Sequence, residues 1–183
     1  MLVIWFAAVN GWELLGIVLS AVAVHESGHW LVLRILGAAP CCLRAGVLGL
    51  VMELDSRRLS YGGELAAVLA GPCANVLCAC VLTAMKPEWD AAVGAQLVLG
   101  VFNLLPVRPL DGGRALYLVG AWLFDPDWGE RIVRTVGGLT AFFCGGGLLW
   151  LMRQTVGSLW LLPAAGGMLA AAVREWFGKR TFL

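Results

Sequence analysis

Charge is scarce in this chain: Asp, Glu, Lys and Arg make up 14% of its 183 residues, against roughly 25% in an ordinary soluble domain. Hydrophobic residues make up 60%, nine of them Trp, a composition that suits lipid better than water. The thirteen basic and twelve acidic side chains nearly cancel, which removes the electrostatic case for nucleic acid or an acidic partner. The six cysteines, at 41, 42, 73, 78, 80 and 144, include no CxxC pair, so neither a thiolate zinc site nor a disulfide framework is expected. They read as buried fillers, and their number favours a reducing, cytoplasmic face. The N-terminus lacks the basic stretch and small-residue cleavage site of a signal peptide, so residues 1–36 are expected to be retained.

A bilayer core of about 30 Å takes about 20 apolar residues per helix, and several stretches approach that length. A short apolar piece at 2–9 ends in an Asn10-Gly11 turn, and a run from Leu14 to Leu36 comes next. Gly37, Pro40, Gly46 and Gly49 then break helix, while Val47–Leu54 alternates like a strand, so a short β-hairpin is expected between residues 37 and 62. Glu64–Met85 and Trp89–Leu105 read as helices separated by Lys86-Pro87-Glu88. Pro106 and Pro109 unwind the chain before a helical piece resumes toward Phe124. Asp125-Pro126-Asp127 reads as a loop, and residues 131–152 and 157–177 as two further Gly/Ala-rich helices. The expected fold is an all-α polytopic membrane protein with about five to six transmembrane or re-entrant helices. It is read as one domain over 1–183, with the catalytic core at 14–124 and two added helices at 125–183.

The polar residues inside these apolar runs are the informative ones. In His25-Glu26-Ser27-Gly28-His29 the two imidazoles are four residues apart, so on a helix they share a face and both reach one Zn²⁺. Glu26 lies beside them, where its carboxylate can take a proton from a water attacking a peptide carbonyl and pass it to the leaving nitrogen. Charged groups at mid-span cost about 2.5 to 3.5 kcal/mol on translocon scales, which weighs against an incidental cluster. His25 and His29 are the only histidines, so a third ligand must be a carboxylate or a thiolate. Asp111, between two prolines and two glycines, is the best candidate, the alternative being a helix N-cap at the membrane surface. Asn75 in its apolar helix reads as interhelical hydrogen-bond glue and Asn103 as a cap on the broken backbone. Glu53 and Asp55 read as a solvated edge paired with Arg57 and Arg58.

Three motifs in order, HESGH, AGPCAN at 70–75 and NLLPVRPLDGG at 103–113, resemble the site-2 protease family, and most of all its short bacterial branch that includes the stage IV sporulation proteases. The resemblance covers residues 14–124. It implies one Zn²⁺ on His25, His29 and Asp111, Glu26 as the base, and membrane-spanning or membrane-associated polypeptides as substrates. It also makes Asn75 and Asn103 candidates for oxyanion or substrate-backbone contacts. PDZ-like and CBS-like domains of longer members are not expected in this chain, so any control would come from a separate membrane partner.

Arginines cluster around the 37–62 connection, after residue 129 and at the C-terminus. If the spans alternate, all three clusters fall on one side, which the positive-inside rule makes cytoplasmic. The expected location is a bacterial cytoplasmic membrane with the active site nearer the cytoplasmic side. Two other classes compete with the protease: a non-catalytic metal-binding scaffold, against which Glu26 counts, and an ion transporter, against which the lack of internal symmetry counts.

Overall fold

The computed structural model describes residues 11–38, 40–46, 49–54, 59–85, 90–154 and 161–178. The expected apolar piece at 2–9, the polar turn at 86–88 and the side chains of the 40–54 connection, with Cys41, Cys42 and Glu53, lie outside that description, as do Asp55, Arg57 and Arg58. Six helices are described: α1 Trp12–Ile35, α2 Tyr61–Met85, α3 Asp90–Asn103, α4 Asp111–Leu123, α5 Pro126–Gln154 and α6 Leu162–Phe177. Between α1 and α2, strands β1 Pro40–Gly46 and β2 Gly49–Leu54 pair antiparallel. The chain divides into two compact units, Met1–Leu104 and Leu105–Leu183.

In the first unit α1, α2 and α3 pack against one another. The end of α1 is written in its sequence. Gly37 takes the left-handed conformation at φ 70°, its N–H donates to the Arg34 carbonyl at 3.2 Å, and the Ala38 N–H donates to Leu33 at 3.0 Å. These are the two reversed hydrogen bonds of a glycine-terminated helix, and the hydrophobic contact that accompanies them is present as well: Leu33 and Ala38 are buried together with Ala67 of α2.

In the second unit α4 packs on α5 and α5 on α6. The loop expected at 125–127 is shorter than its sequence suggests, because α5 begins at Pro126. Proline suits the first helical turn, where its missing N–H is not needed, and the Asp125 carboxylate accepts the Trp128 N–H at 2.7 Å as an N-cap does. The approach of α4 to α5 depends on glycine. A Cβ on Gly120 would lie 2.8 Å from Gly129 Cα, and one on Gly129 would lie 2.7 Å from the Tyr117 carbonyl oxygen.

Among the described residues, three helices, α1, α2 and α5, are long and apolar enough to cross a membrane, and α3 is a shorter apolar helix. Large apolar side chains such as Leu31 and Ile35 of α1, Leu77 of α2, and Phe143 and Trp150 of α5 point outward, as a surface facing lipid requires. The four described cysteines correct the expectation of buried fillers, since none of them is buried. Cys73 and Cys80 are exposed, and Cys78 and Cys144 are half-buried. With lipid outside, the outer face is itself apolar, so a small hydrophobe such as Cys has no need of the interior.

Gly129→Ala is expected to destabilise the α4–α5 crossing by about 1–3 kcal/mol, since the clash is with backbone. Gly94→Ala meets open space and should be neutral or slightly stabilising through helix propensity. Thermal unfolding midpoints of the two variants in detergent compare them directly.

Candidate metal centre

The histidine pair sits in the second half of α1, facing α2. His25 is 5% exposed and His29 is half-buried. Their Nε2 atoms are 3.1 Å apart, with the rings nearly perpendicular. Which nitrogens carry hydrogens is set by their neighbours. His29 Nδ1 lies 2.8 Å from the Ala67 carbonyl oxygen, which can only accept, so Nδ1 donates. His25 Nδ1 lies 2.6 Å from Asn75 Oδ1, also an acceptor, so it too carries the hydrogen.

With both Nδ1 atoms protonated, a neutral imidazole leaves a lone pair on Nε2, and the two Nε2 lone pairs converge. Two acceptors cannot hydrogen-bond to one another. Two imidazole ligands on one tetrahedral Zn²⁺ stand about 3.3 Å apart for Zn–N distances of about 2.0–2.1 Å, close to the observed separation. The pair therefore fits a shared metal ion, and its outer nitrogens are held in the way metal-bound histidines usually are.

Two glycines make the pair possible. A Cβ on Gly71 would fall on the His29 ring. One on Gly28, inside HESGH, would lie 2.5 Å from the Ala70 carbonyl oxygen and 2.8 Å from Ala74 Cβ. Gly71 is thus the floor under the His29 ring. Pro72 lies within α2, which continues through it to Met85.

Asn75 is fully buried. Its Nδ2 donates to the Ala21 carbonyl at 3.0 Å and to Gln96 Oε1, while Oδ1 accepts from His25. Both amide hydrogens are thus engaged between helices. Gln96, 4% exposed, is missed by sequence reasoning because a lone glutamine in an apolar helix has no motif around it. Asn103 is half-buried and donates from Nδ2 to the Leu99 carbonyl one turn earlier, at 3.0 Å. Glu26 is half-buried on α1.

Asp111 belongs to the second unit, where it is the first residue of α4, with Leu110 at the N-cap. The N-cap alternative for Asp111 is therefore displaced by one position, and the carboxylate sits at a helix N-terminus, where negative charge is stabilised. The loop before it is tightly tied. Leu110 donates to the Val107 carbonyl at 2.8 Å and Gly113 to Leu110 at 3.1 Å. A Cβ on Gly113 would lie 2.6 Å from the Val107 carbonyl carbon. Arg108 reaches Glu130 of α5 at 3.1 Å and, through Nε, Glu175 of α6 at 2.7 Å. No local pattern announces this arrangement, because its members are 22 and 67 positions apart.

Comparison with known proteins supports the family resemblance. No protein-family model matches the chain. Among curated proteins it is 31% identical to a zinc metalloprotease of Methanocaldococcus jannaschii over 57% of this chain and 34% of that protein. It is 27% identical to the putative zinc metalloprotease Rip3 of Mycobacterium tuberculosis over 94% of this chain and 47% of that protein. A putative zinc metalloprotease of Synechocystis matches at 27% over 78% of this chain and 38% of that protein. The chain thus spans between a third and a half of the length of these relatives. Among solved structures, the site-2 protease of Methanocaldococcus jannaschii superposes with a TM-score of 0.69 at 22% identity, covering 99% of this chain and 86% of that one. The fold of this chain is that of a site-2 protease.

Gly71→Ala is expected to push the His29 ring aside and weaken Zn²⁺ or Co²⁺ binding by about 10-fold or more. Metal titration of the purified variant, alongside a check of its helical content, measures the loss.

Proposed function

We propose that the chain is a zinc-dependent intramembrane endopeptidase, with one Zn²⁺ held by His25, His29 and Asp111 and with Glu26 as the base. The observation that carries this reading is the convergence of the two Nε2 lone pairs, each ring fixed from behind by an acceptor. Two histidines supply half of a tetrahedral site, a carboxylate is the ligand type that completes a catalytic set, and the fourth position stays open. Because the histidines and Asp111 come from different units, the reading makes residues 1–183 one membrane-embedded catalytic domain. Relatives named zinc metalloproteases support it.

Zinc, when bound, lowers the pKa of water toward about 7 and polarises a carbonyl. The remaining chemistry belongs to side chains. Glu26 adjoins His25 in sequence, accepts the proton of the attacking water and returns it to the departing amine nitrogen as the peptide bond breaks. Asn103 has two Nδ2 hydrogens. One goes to the Leu99 carbonyl, and the other is the candidate donor to the carbonyl oxygen of the substrate as it gains charge.

The proposed substrates are membrane-spanning or membrane-associated polypeptides. A helix must unwind before its peptide bond can be attacked, and the β1–β2 hairpin between α1 and α2 offers strand edges that bind extended chain by β-augmentation. The arginine distribution makes the hairpin side cytoplasmic, so the metal site would lie toward the cytoplasmic face. Control of the activity would come from a separate membrane partner.

Glu26→Gln is expected to keep its zinc and lose cleavage by at least about 100-fold, whereas Asp111→Ala should lose zinc affinity as well. Metal content by mass spectrometry, together with fragment detection in membranes carrying wild-type or variant protein, separates the two outcomes. Wild-type rates from Glu26→Gln would end this mechanism.

A further inference from the structure

The structure assigns Gln96 as a positioning residue that sets the hydrogen placement of His25 through the Asn75 amide. The inference rests on the metal reading of the histidine pair but adds a residue to it that no motif contains.

The Asn75 side chain has two edges, an oxygen that accepts and an NH₂ that donates. Its NH₂ faces two acceptors: the Ala21 carbonyl, which can only accept, at 3.0 Å, one turn before His25 on α1, and the oxygen of the Gln96 amide from α3. Those two consume both amide hydrogens and leave Oδ1 for His25 Nδ1. An acceptor there forces Nδ1 to donate, and Nε2 is left with the lone pair that a metal needs. If the amide turned over, its NH₂ would meet Nδ1, favour the opposite tautomer and put a hydrogen where the metal belongs. The backbone carbonyl contributes one fixed restraint against that turn, and Gln96 contributes the second by holding its own amide oxygen toward Asn75, so that Asn75 cannot turn over unless Gln96 turns as well.

The packing around this chain of bonds is built for it. Asn75, Gln96 and His25 are 0%, 4% and 5% exposed, so water is not a ready substitute for any member. Gly100, one turn beyond Gln96, brings α3 against α2 at this level. Its missing Cβ would lie 3.1 Å from Asn75 Cβ and 3.3 Å from the Pro72 carbonyl oxygen. A lone buried glutamine in an apolar helix costs free energy unless its amide is used, and here it is used.

The test is a double-mutant cycle read in zinc affinity, with imidazole hydrogens observed separately. Gln96→Leu should weaken zinc binding about 10-fold, Asn75→Ala about 10- to 100-fold, and Gln96→Leu should add nothing in the Asn75→Ala background, since it acts through that amide. The two histidines make ¹⁵N-histidine spectra of the metal-free protein simple. Wild type should show His25 protonated at Nδ1, and Gln96→Leu should show a second population protonated at Nε2. Independent, multiplying losses in the cycle, or a Gln96→Leu spectrum and affinity matching wild type, would overturn the assignment. If wild type binds no zinc while Gln96→Leu still redistributes the His25 hydrogen, the positioning role stands and the metal reading falls.

Discussion

An imidazole inside an apolar helix needs a partner for each nitrogen, and the first unit is arranged around meeting that need twice within one helical turn. His25 and His29 both turn Nδ1 outward to an acceptor on α2, one a side-chain amide and the other a backbone carbonyl. A carbonyl can reach across to another helix only where that helix comes close. The close approach exists because Gly28 and Gly71 have no side chains to hold α1 and α2 apart. The placement of the two rings is thus a consequence of helix packing: a methyl group at Gly71 would meet the His29 ring itself, and one at Gly28 would push α1 away from Ala70 and Ala74 of α2.

The same economy governs the second unit, where the polar group is a guanidinium. Arg108 is 16% exposed at its side chain and lies between two carboxylates that are themselves 11% and 4% exposed. Removing one partner from such a cluster leaves a charge without compensation in a low-dielectric setting, which costs several kcal/mol. The cluster ties the loop that leads into α4 to both α5 and α6. The irregular backbone before Asp111 is therefore anchored by the last two helices, which sequence motifs leave without a role.

Local spacing carries the features that are legible in the sequence. The i, i+4 histidines, the glycine stop after α1 and the proline break before Asp111 each occupy a few consecutive residues, and their physics is contained there. The helix boundaries of α1 through α4 are legible within a few residues for the same reason. The features that escape a reading of the sequence join distant positions. Gln96 meets Asn75 across 21 residues, and Arg108 meets Glu175 across 67. The Asp125-Pro126 pair is ambiguous by itself, because the same two residues open a loop or a helix depending on whether the next turn packs against a neighbour, as Gly129 does against α4. Of the described cysteines, Cys73 and Cys80 end on the outside because burial of a small hydrophobe is favoured only when water is the alternative.

That choice of solvent matters beyond the cysteines. In water, a buried amide network competes with hydration in the unfolded chain and gains little. In a membrane the competing state is a helix already formed in lipid, whose polar side chains lack water and must find one another. Hydrogen bonds between such helices are worth roughly 0.6 to 2 kcal/mol, modest as stability but large as orientation, since few other partners compete for Asn75 or His25. The polar residues of α1, α2 and α3 therefore contribute less to holding the helices together than to fixing which edge of each ring and amide faces which way. Metal chemistry depends on that orientation, because a ligand pointing its hydrogen at the ion does not bind.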